Sequence, residues 1–297
     1  MVQNYVINRG YDASEERFVL ARRFSERALQ LAPDDPEAMA VMAQFLSFRK
    51  SDVVRAEELI RKAIKLAPAE ARFSRILIYN VLYGTRNMDA VTEGKAARLR
   101  FPKDPLTHYN LALISRSTGD LGLMEECLDR AIELAPVGSA MIWKGWLTAW
   151  LHGDLPGFKT WLDKISGSFR MNERAVYMRY VYAGLSGDAY DGLQAVQSYP
   201  GAWLNDFYCN GLRSLLVADL LAIQGRKELA REEYQRALAE IRRAKEANPS
   251  DTSASRAELW VLLGLGQMDE ARAAARKLYE QQSRPFWPVY TVWWHHV

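Results

Sequence analysis

The chain has 297 residues, of which 25% are charged, and its 39 basic and 36 acidic side chains leave a net charge of only +3. This balance argues against nucleic acid as a partner, because nucleic-acid-binding domains concentrate basic residues on one face. No run of eighteen apolar residues occurs, so no membrane span is predicted, and two cysteines are too few for a disulfide framework.

Along the first half of the chain, four prolines recur at almost constant spacing. Pro33, Pro68, Pro102 and Pro136 lie 35, 34 and 34 residues apart, and each closes a similar phrase, such as RALQLAP and RAIELAP. The segment 104–136 has the apolar period of two short amphipathic helices joined at Gly119. Such a pair cannot bury its own apolar face, so it requires a similar pair on each side.

Small side chains share the same period. Alanines recur with the same spacing, and they are Ala21, Ala28, Ala56, Ala63, Ala90, Ala97, Ala112 and Ala131. With this pattern the chain resembles the tetratricopeptide repeat family, whose period is 34 residues. The resemblance implies that these alanines lie where neighbouring helices cross most closely. The resemblance implies an all-α fold, namely a solenoid of about seven to eight antiparallel helix pairs in a right-handed superhelix, as a single array over residues 1–297.

We expect four regions along this array. Residues 1–138 hold the regular repeats, and residues 139–201 hold divergent repeats in which aromatic side chains such as Trp146 and Phe158 replace small ones. Residues 202–284 are predicted to form longer helices, the first two over 203–224 and 226–247. Residues 285–297 form an apolar segment. The aromatic region is either a packing bend or part of a ligand groove.

Residues 100–282 also resemble the repeat arrays of bacterial multidomain signalling proteins, where they follow adenylate cyclase, Ser/Thr kinase or winged-helix regulator domains. That resemblance implies a regulatory interaction module in a bacterial protein. The N-terminus lacks the basic-then-apolar layout of a secretion signal, so we expect a cytoplasmic location.

Motifs for catalysis and for cofactors are absent from the sequence. It contains no GxGxxG, GxxxxGK[ST], HExxH, GxSxG or CxxC motif. His108 and Cys127 fall at packing positions of one repeat, and the adjacent pair His295 and His296 would point to different faces of a helix. We therefore expect no enzyme activity, no cofactor and no metal, and an enzyme with an unrecognised site remains the lesser alternative.

The concave side of the array is the predicted binding site. In the family, five positions on the first helix of each unit line this side, and here they carry tyrosine, tryptophan and arginine. This combination suits a protein or peptide partner with acidic or carboxylate groups, because guanidinium pairs with carboxylate and rings offer rigid contact area. The candidate residues are Arg72, Arg75, Tyr79, Tyr109, Arg116, Trp143, Trp150, Arg174 and Tyr177.

A receptor for C-terminal carboxylates is one alternative to this prediction, and a homo-oligomeric array is the other. A family subtype that binds C-terminal carboxylates would place its five clamp residues at Arg75, Tyr79, Asn110, Ala140 and Lys144, and only Asn110 matches, so we do not expect a receptor for chaperone tails. The apolar segment 285–297 offers the second alternative, a structural array that forms homo-oligomers through this segment.

Overall fold

A computed structural model describes residues 15–49, 52–206, 209–247 and 252–281. Over these residues the chain forms fifteen α-helices, one short 3-10 helix and one two-stranded hairpin. The chain divides into two compact units, Met1–Leu147 and Thr148–Val297, which we describe separately. The predicted apolar segment 285–297 lies outside the described residues.

The first unit is a succession of antiparallel helix pairs. Helix α1 packs on α2, α2 on α3, and the alternation continues through α4, α5, α6 and α7, so each helix lies against its neighbours in sequence. The bounds are α1 Glu15–Leu31, α2 Pro36–Arg49, α3 Val53–Leu66, α4 Ala71–Tyr83, α5 Asn87–Arg100, α6 Pro105–Ser117 and α7 Leu121–Leu134. Helix α8, Gly138–His152, begins in this unit and continues into the second.

The repeat phase predicted from the prolines is confirmed by the helix ends. Helices α1, α3, α5 and α7 each end two residues before one of the four periodic prolines. Asp52, Asp104 and Asp120 cap helices α3, α6 and α7, respectively, because each carboxylate accepts a hydrogen bond from a backbone amide in the first turn. The turn inside the fourth repeat has Gly119 at φ 76°, and one repeat earlier Thr85 takes φ 64°, an unusual value for a residue with a side chain.

Small side chains do occupy the helix crossings of this unit. Ala56, Ala63, Ala90, Ala112 and Ala131 are all fully buried. A Cβ atom added at Gly94 of α5 would lie 2.8 Å from Cδ1 of Leu111 on α6, which is too close for an unperturbed contact. Adjacent helices therefore approach through alanine and glycine, as the period implied.

The second unit departs from the regular repeat in its first half. Helices α9 and α11 have only nine residues each, and a 3-10 helix, Gly167–Met171, precedes α10. Longer helices follow, and α13 has 21 residues. The bounds are α9 Leu155–Asp163, α10 Glu173–Ser186, α11 Tyr190–Ser198, α12 Arg213–Ile223, α13 Lys227–Ala247, α14 Thr252–Gly264 and α15 Met268–Gln281.

The predicted helix over 203–224 is wrong in its first half. Strands β1, Trp203–Asp206, and β2, Cys209–Leu212, form an antiparallel hairpin, in which Leu204 pairs with Gly211, and helix α12 begins only at Arg213. The segment WLNDFYCNGL consists almost wholly of weak helix formers, several of which favour strands. Leu204 and Leu212 are fully buried, so the hairpin contributes to the core of this unit. The predicted helix over 226–247 is confirmed as α13.

The predicted all-α class is confirmed, since every described element except the hairpin is helical. In unit 1 helix α2 packs on α3, α4 on α5 and α6 on α7, and in unit 2 helix α10 packs on α11, α12 on α13 and α14 on α15. Among the described helices, none has both the length and the apolar character needed to cross a membrane.

A buried polar cluster ties three helices of the second unit together. The Asp219 carboxylate on α12 accepts a hydrogen bond of 2.8 Å from the Tyr180 hydroxyl on α10 and one of 2.6 Å from the Tyr234 hydroxyl on α13. Burial raises the pKa of Asp219 from its ordinary value of 3.8 to about 6, although the two hydroxyls oppose that shift. The folded protein therefore holds this proton more tightly than the unfolded chain does.

Replacing Ala131 with phenylalanine should lower the free energy of unfolding by about 1–3 kcal/mol, because the ring overpacks a fully buried helix crossing. Urea denaturation followed by circular dichroism measures the change. Ala96→Phe is the matched control, since Ala96 is an exposed position on α5 of the same unit. Equal denaturation midpoints for the two variants would contradict the helix register.

Stability should depend on pH through Asp219. Its pKa is raised on folding, so its contribution to stability is greatest below about pH 4 and is lost as the pH rises through about 6. Asp219→Asn imitates the protonated acid, and the wild-type protein should therefore lose stability relative to this variant over that range. Thermal melts at several pH values measure the difference, with Asp188→Asn, at an exposed carboxylate, as the control. A constant difference between wild type and Asp219→Asn would refute the assignment.

Candidate protein-binding surface

Helices α4 and α6, the first helices of two repeats in unit 1, carry five of the predicted contact residues, and two of the arginines already have acidic partners. Arg72 on α4 pairs with Glu37 on α2. Arg75, one turn further along α4, donates to the Asp104 carboxylate at 2.5 Å, and the same carboxylate caps α6. Each pair joins one repeat to a neighbouring repeat. The positive charges expected to attract an acidic ligand are therefore matched within the protein.

The tyrosines of these helices form the ring-bearing part of the surface. Tyr79 and Tyr83, on successive turns of α4, have ring centroids 6.2 Å apart. The Tyr79 hydroxyl donates to the side-chain oxygen of Asn110 on α6 at 3.3 Å, and Tyr109 lies next to that asparagine. All three tyrosines are half-buried. The Tyr79 and Tyr83 rings thus pack on each other while part of each stays accessible to a partner.

Trp143 was predicted to be a contact residue, but its exposure does not meet that expectation. Only 3% of this residue is exposed, and its ring packs against Trp146 with centroids 5.7 Å apart in an edge-to-face arrangement. The Arg116 guanidinium lies 4.6 Å above the Trp143 ring and covers it. Trp143 therefore belongs to the core beneath this surface, and Arg116 presents the accessible group at this point.

The three candidates in unit 2 lie in different surroundings. Trp150, near the end of α8, is 56% exposed. Arg174 at the start of α10 is 6% exposed, so its side chain is inside the unit and not on a surface. Tyr177 is half-buried and packs against Tyr180, with ring centroids 5.6 Å apart. Of these three, Trp150 and Tyr177 remain accessible for contact.

The positions of the carboxylate clamp are occupied by interactions within the protein. Lys144 donates to Glu125 at 3.0 Å and pairs with Asp129 at 2.7 Å, while Ala140 is fully buried. Asn110 is the partner of Tyr79. The lysine charge is matched by two carboxylates, so a free carboxylate would have to compete with both of them. These contacts agree with the mismatch seen in the sequence.

The pair of Cys127 and His108 shows no feature of an activated nucleophile. Burial raises the pKa of the Cys127 thiol to about 11, although Arg98 opposes this shift, so the thiol stays protonated at neutral pH. His108 contacts the Pro102 carbonyl oxygen through Nε2 at 3.0 Å, which assigns the ring proton to that nitrogen. Within the described ranges, no group of three His, Cys, Asp or Glu side chains is arranged to hold a metal ion.

Sequence reasoning missed the acidic partners on this surface. Glu37 and Asp104 each lie close to one repeat length from the arginine they bind, 35 residues before Arg72 and 29 after Arg75. A comparison of charges at one-repeat separation would have suggested these pairs. Tyr83, one turn after Tyr79, occupies one of the five concave positions of the same helix but was left out of the candidate contact residues.

Comparison with known proteins supports the fold. Residues 107–137 match the tetratricopeptide repeat family, and no curated protein matches the chain. A tetratricopeptide repeat protein from Parabacteroides merdae has 16% sequence identity and a TM-score of 0.57, with 84% of this chain and 94% of that protein covered.

Two further solved structures are similar over most of this chain. Yeast Tom70 has 16% identity and a TM-score of 0.57, with 92% of this chain and 57% of Tom70 covered. A chain of the Cut9–Hcn1 hetero-tetramer of the APC/C has 11% identity and a TM-score of 0.56, with 94% of this chain and 54% of that one covered. At these identities the similarity establishes the fold alone, which is the tetratricopeptide-repeat fold.

Trp143→Ala should lower the free energy of unfolding by about 3–5 kcal/mol, because it leaves a cavity beneath Arg116. Trp150→Ala removes the same kind of side chain from the same helix, but at an exposed position, and should change stability by less than about 0.5 kcal/mol. Urea titrations of both variants provide the comparison. Trp143 would return to the candidate contact residues if both variants were as stable as wild type.

Proposed function

We propose that this protein is a non-catalytic scaffold that binds a protein or peptide through the first-helix face of unit 1. One observation carries the proposal: Tyr79 and Tyr83 on α4 and Tyr109 on α6, in adjacent repeats, are only half-buried, and the Tyr79 side chain is held by Asn110 and Tyr83. Rigid, partly exposed tyrosines are typical anchors in protein interfaces, because they contribute large contact area with little loss of conformational freedom. The fold agrees with this role, since solved structures of the same fold include proteins with known partners, such as the Cut9–Hcn1 assembly.

The ion pairs beside these rings affect which partner fits. An acidic ligand reaches Arg72 only by replacing Glu37, whose side chain is 47% exposed. Exchange of one partly exposed ion pair for another contributes little free energy, so the tyrosines and not the arginines supply most of the affinity. We therefore propose a partner segment that places apolar or aromatic side chains on the rings, with carboxylates in a secondary role.

The cellular setting is a separate part of the proposal. A regulatory role in a cytoplasmic bacterial protein rests on the sequence resemblance over residues 100–282. Homo-oligomerisation was proposed to use residues 285–297, which lie outside the described residues, and the contacts described for unit 1 do not depend on it.

The proposal predicts that Tyr79→Ala combined with Tyr109→Ala weakens binding of an identified partner by about 2 kcal/mol or more, because two ring anchors are lost. A pull-down with the wild-type chain identifies the partner, and calorimetry measures the affinity. Tyr190→Ala combined with Tyr279→Ala is the matched control, since these rings are 69% and 84% exposed on helices of unit 2. Equal affinity of both double variants, with helicity unchanged, would place binding elsewhere on the protein.

A further inference from the structure

A cleft of about 170 Å³ opens between α3 and α5 of unit 1, with α4 beneath it. Its lining includes the apolar side chains Ile64 of α3, Leu77 of α4 and Ala96 of α5. None of the tyrosines of the first-helix face lines it. The cleft is therefore a separate feature from the proposed tyrosine surface.

Two of the side chains that line the cleft are small. Ser74 lines the cleft from α4, and Ala96 lines it from α5. At the equivalent positions 34 residues later, the sequence has His108 and Arg130. His108 is a buried side chain that fills its site. The third repeat thus has a small side chain, Ser74, where the fourth repeat has the larger His108.

Charge is distributed unevenly along the two walls. Arg61 of α3 bonds to Glu93 of α5 at 2.5 Å, and it also pairs with Glu57 at 2.9 Å, so its charge is matched. Towards the C-terminal ends of the same helices, the cleft is lined by Lys65 of α3 and Arg100 of α5, both exposed.

Lys65 and Arg100 have the same charge on opposite walls of the cleft. Both lie in the last turn of their helix, where the partial negative charge of the helix end stabilises a cation. Glu93 is the one acidic side chain in the lining, and it is bound to Arg61. The outer part of the cleft therefore has an apolar floor between two positive walls.

We propose that this cleft binds an acidic peptide segment, with one leucine or aromatic side chain on the apolar floor and carboxylates on both sides of it. A cavity of about 150 Å³ holds a benzene ring, so one such side chain fits this volume. A carboxylate on either side of the anchor pairs with Lys65 or Arg100 through a charge-assisted hydrogen bond. Both the anchor and the flanking charges are needed, because neither feature alone matches the cleft.

A defined probe tests this proposal on the full chain. The probe is a fluorescein-labelled peptide with one phenylalanine flanked on each side by two glutamates, and fluorescence anisotropy measures its dissociation constant. Replacing the phenylalanine with alanine, or the four glutamates with glutamine, should weaken binding about tenfold or more, which corresponds to about 1.4 kcal/mol. Binding should also weaken as salt increases, because the charges are exposed. Failure of the wild-type chain to bind the probe would overturn the proposal.

Variants of the protein locate the binding site. Ala96→Phe fills the cleft from an exposed position, and Lys65→Glu combined with Arg100→Glu reverses its charge, so each should reduce affinity at least about tenfold. Arg276→Glu combined with Lys277→Glu makes the same charge change on exposed residues of α15 and should leave affinity unchanged. Tyr109→Ala should also leave probe binding unchanged, which separates this cleft from the tyrosine surface. Equal loss in the two charge-reversal variants would mean non-specific attraction and would overturn the proposal.

Discussion

Close approach of adjacent helices is the constraint on which the rest of unit 1 depends. At Gly94 the backbone of α5 comes so near Leu111 that an added Cβ atom would displace the leucine side chain, and Ala63, Ala97 and Ala131 are buried at the crossings of successive second helices. Because these contacts fix each pair against the next, they determine which side chains meet across repeats. The pairs Arg72–Glu37 and Arg75–Asp104 form only if the repeats stack at this distance.

The same stacking gives unit 1 two surfaces with different chemistry. On the first-helix face, the arginines are matched by carboxylates and the accessible groups are tyrosine rings. In the cleft between α3 and α5, an apolar floor lies between Lys65 and Arg100. Flanking carboxylates are needed in the cleft and are secondary on the tyrosine surface, so the two proposed sites differ in how strongly binding depends on charge. Unit 2 has a buried polar cluster around Asp219, which holds three helices together.

The sequence predicted the regular helices well and the exceptions poorly. Periodic prolines and alanines placed the helix ends of unit 1 within two residues of Pro33, Pro68, Pro102 and Pro136, because steric rules act locally. The hairpin at Trp203–Leu212 was missed, since its strand residues were assigned the helical phase of the neighbouring segments. At the candidate site, the family positions predicted a helix face, and that prediction stays a proposal. They did not show that Trp143 and Arg174 are buried, because exposure depends on how neighbouring side chains cover them.

Thr85 shows what the turn between the two helices of a repeat requires. It adopts φ 64° at the position where the next three repeats have Gly119, Gly153 and Gly187, each also with positive φ. In these four turns the shared feature is therefore a positive φ angle, and glycine is the residue that adopts it most readily. A comparison of residue types misses the turn of this repeat, because threonine stands where the other three have glycine. A comparison of the sign of φ finds it. In a structure, repeats of this kind are therefore best counted by the positive φ angle in the turn between their two helices.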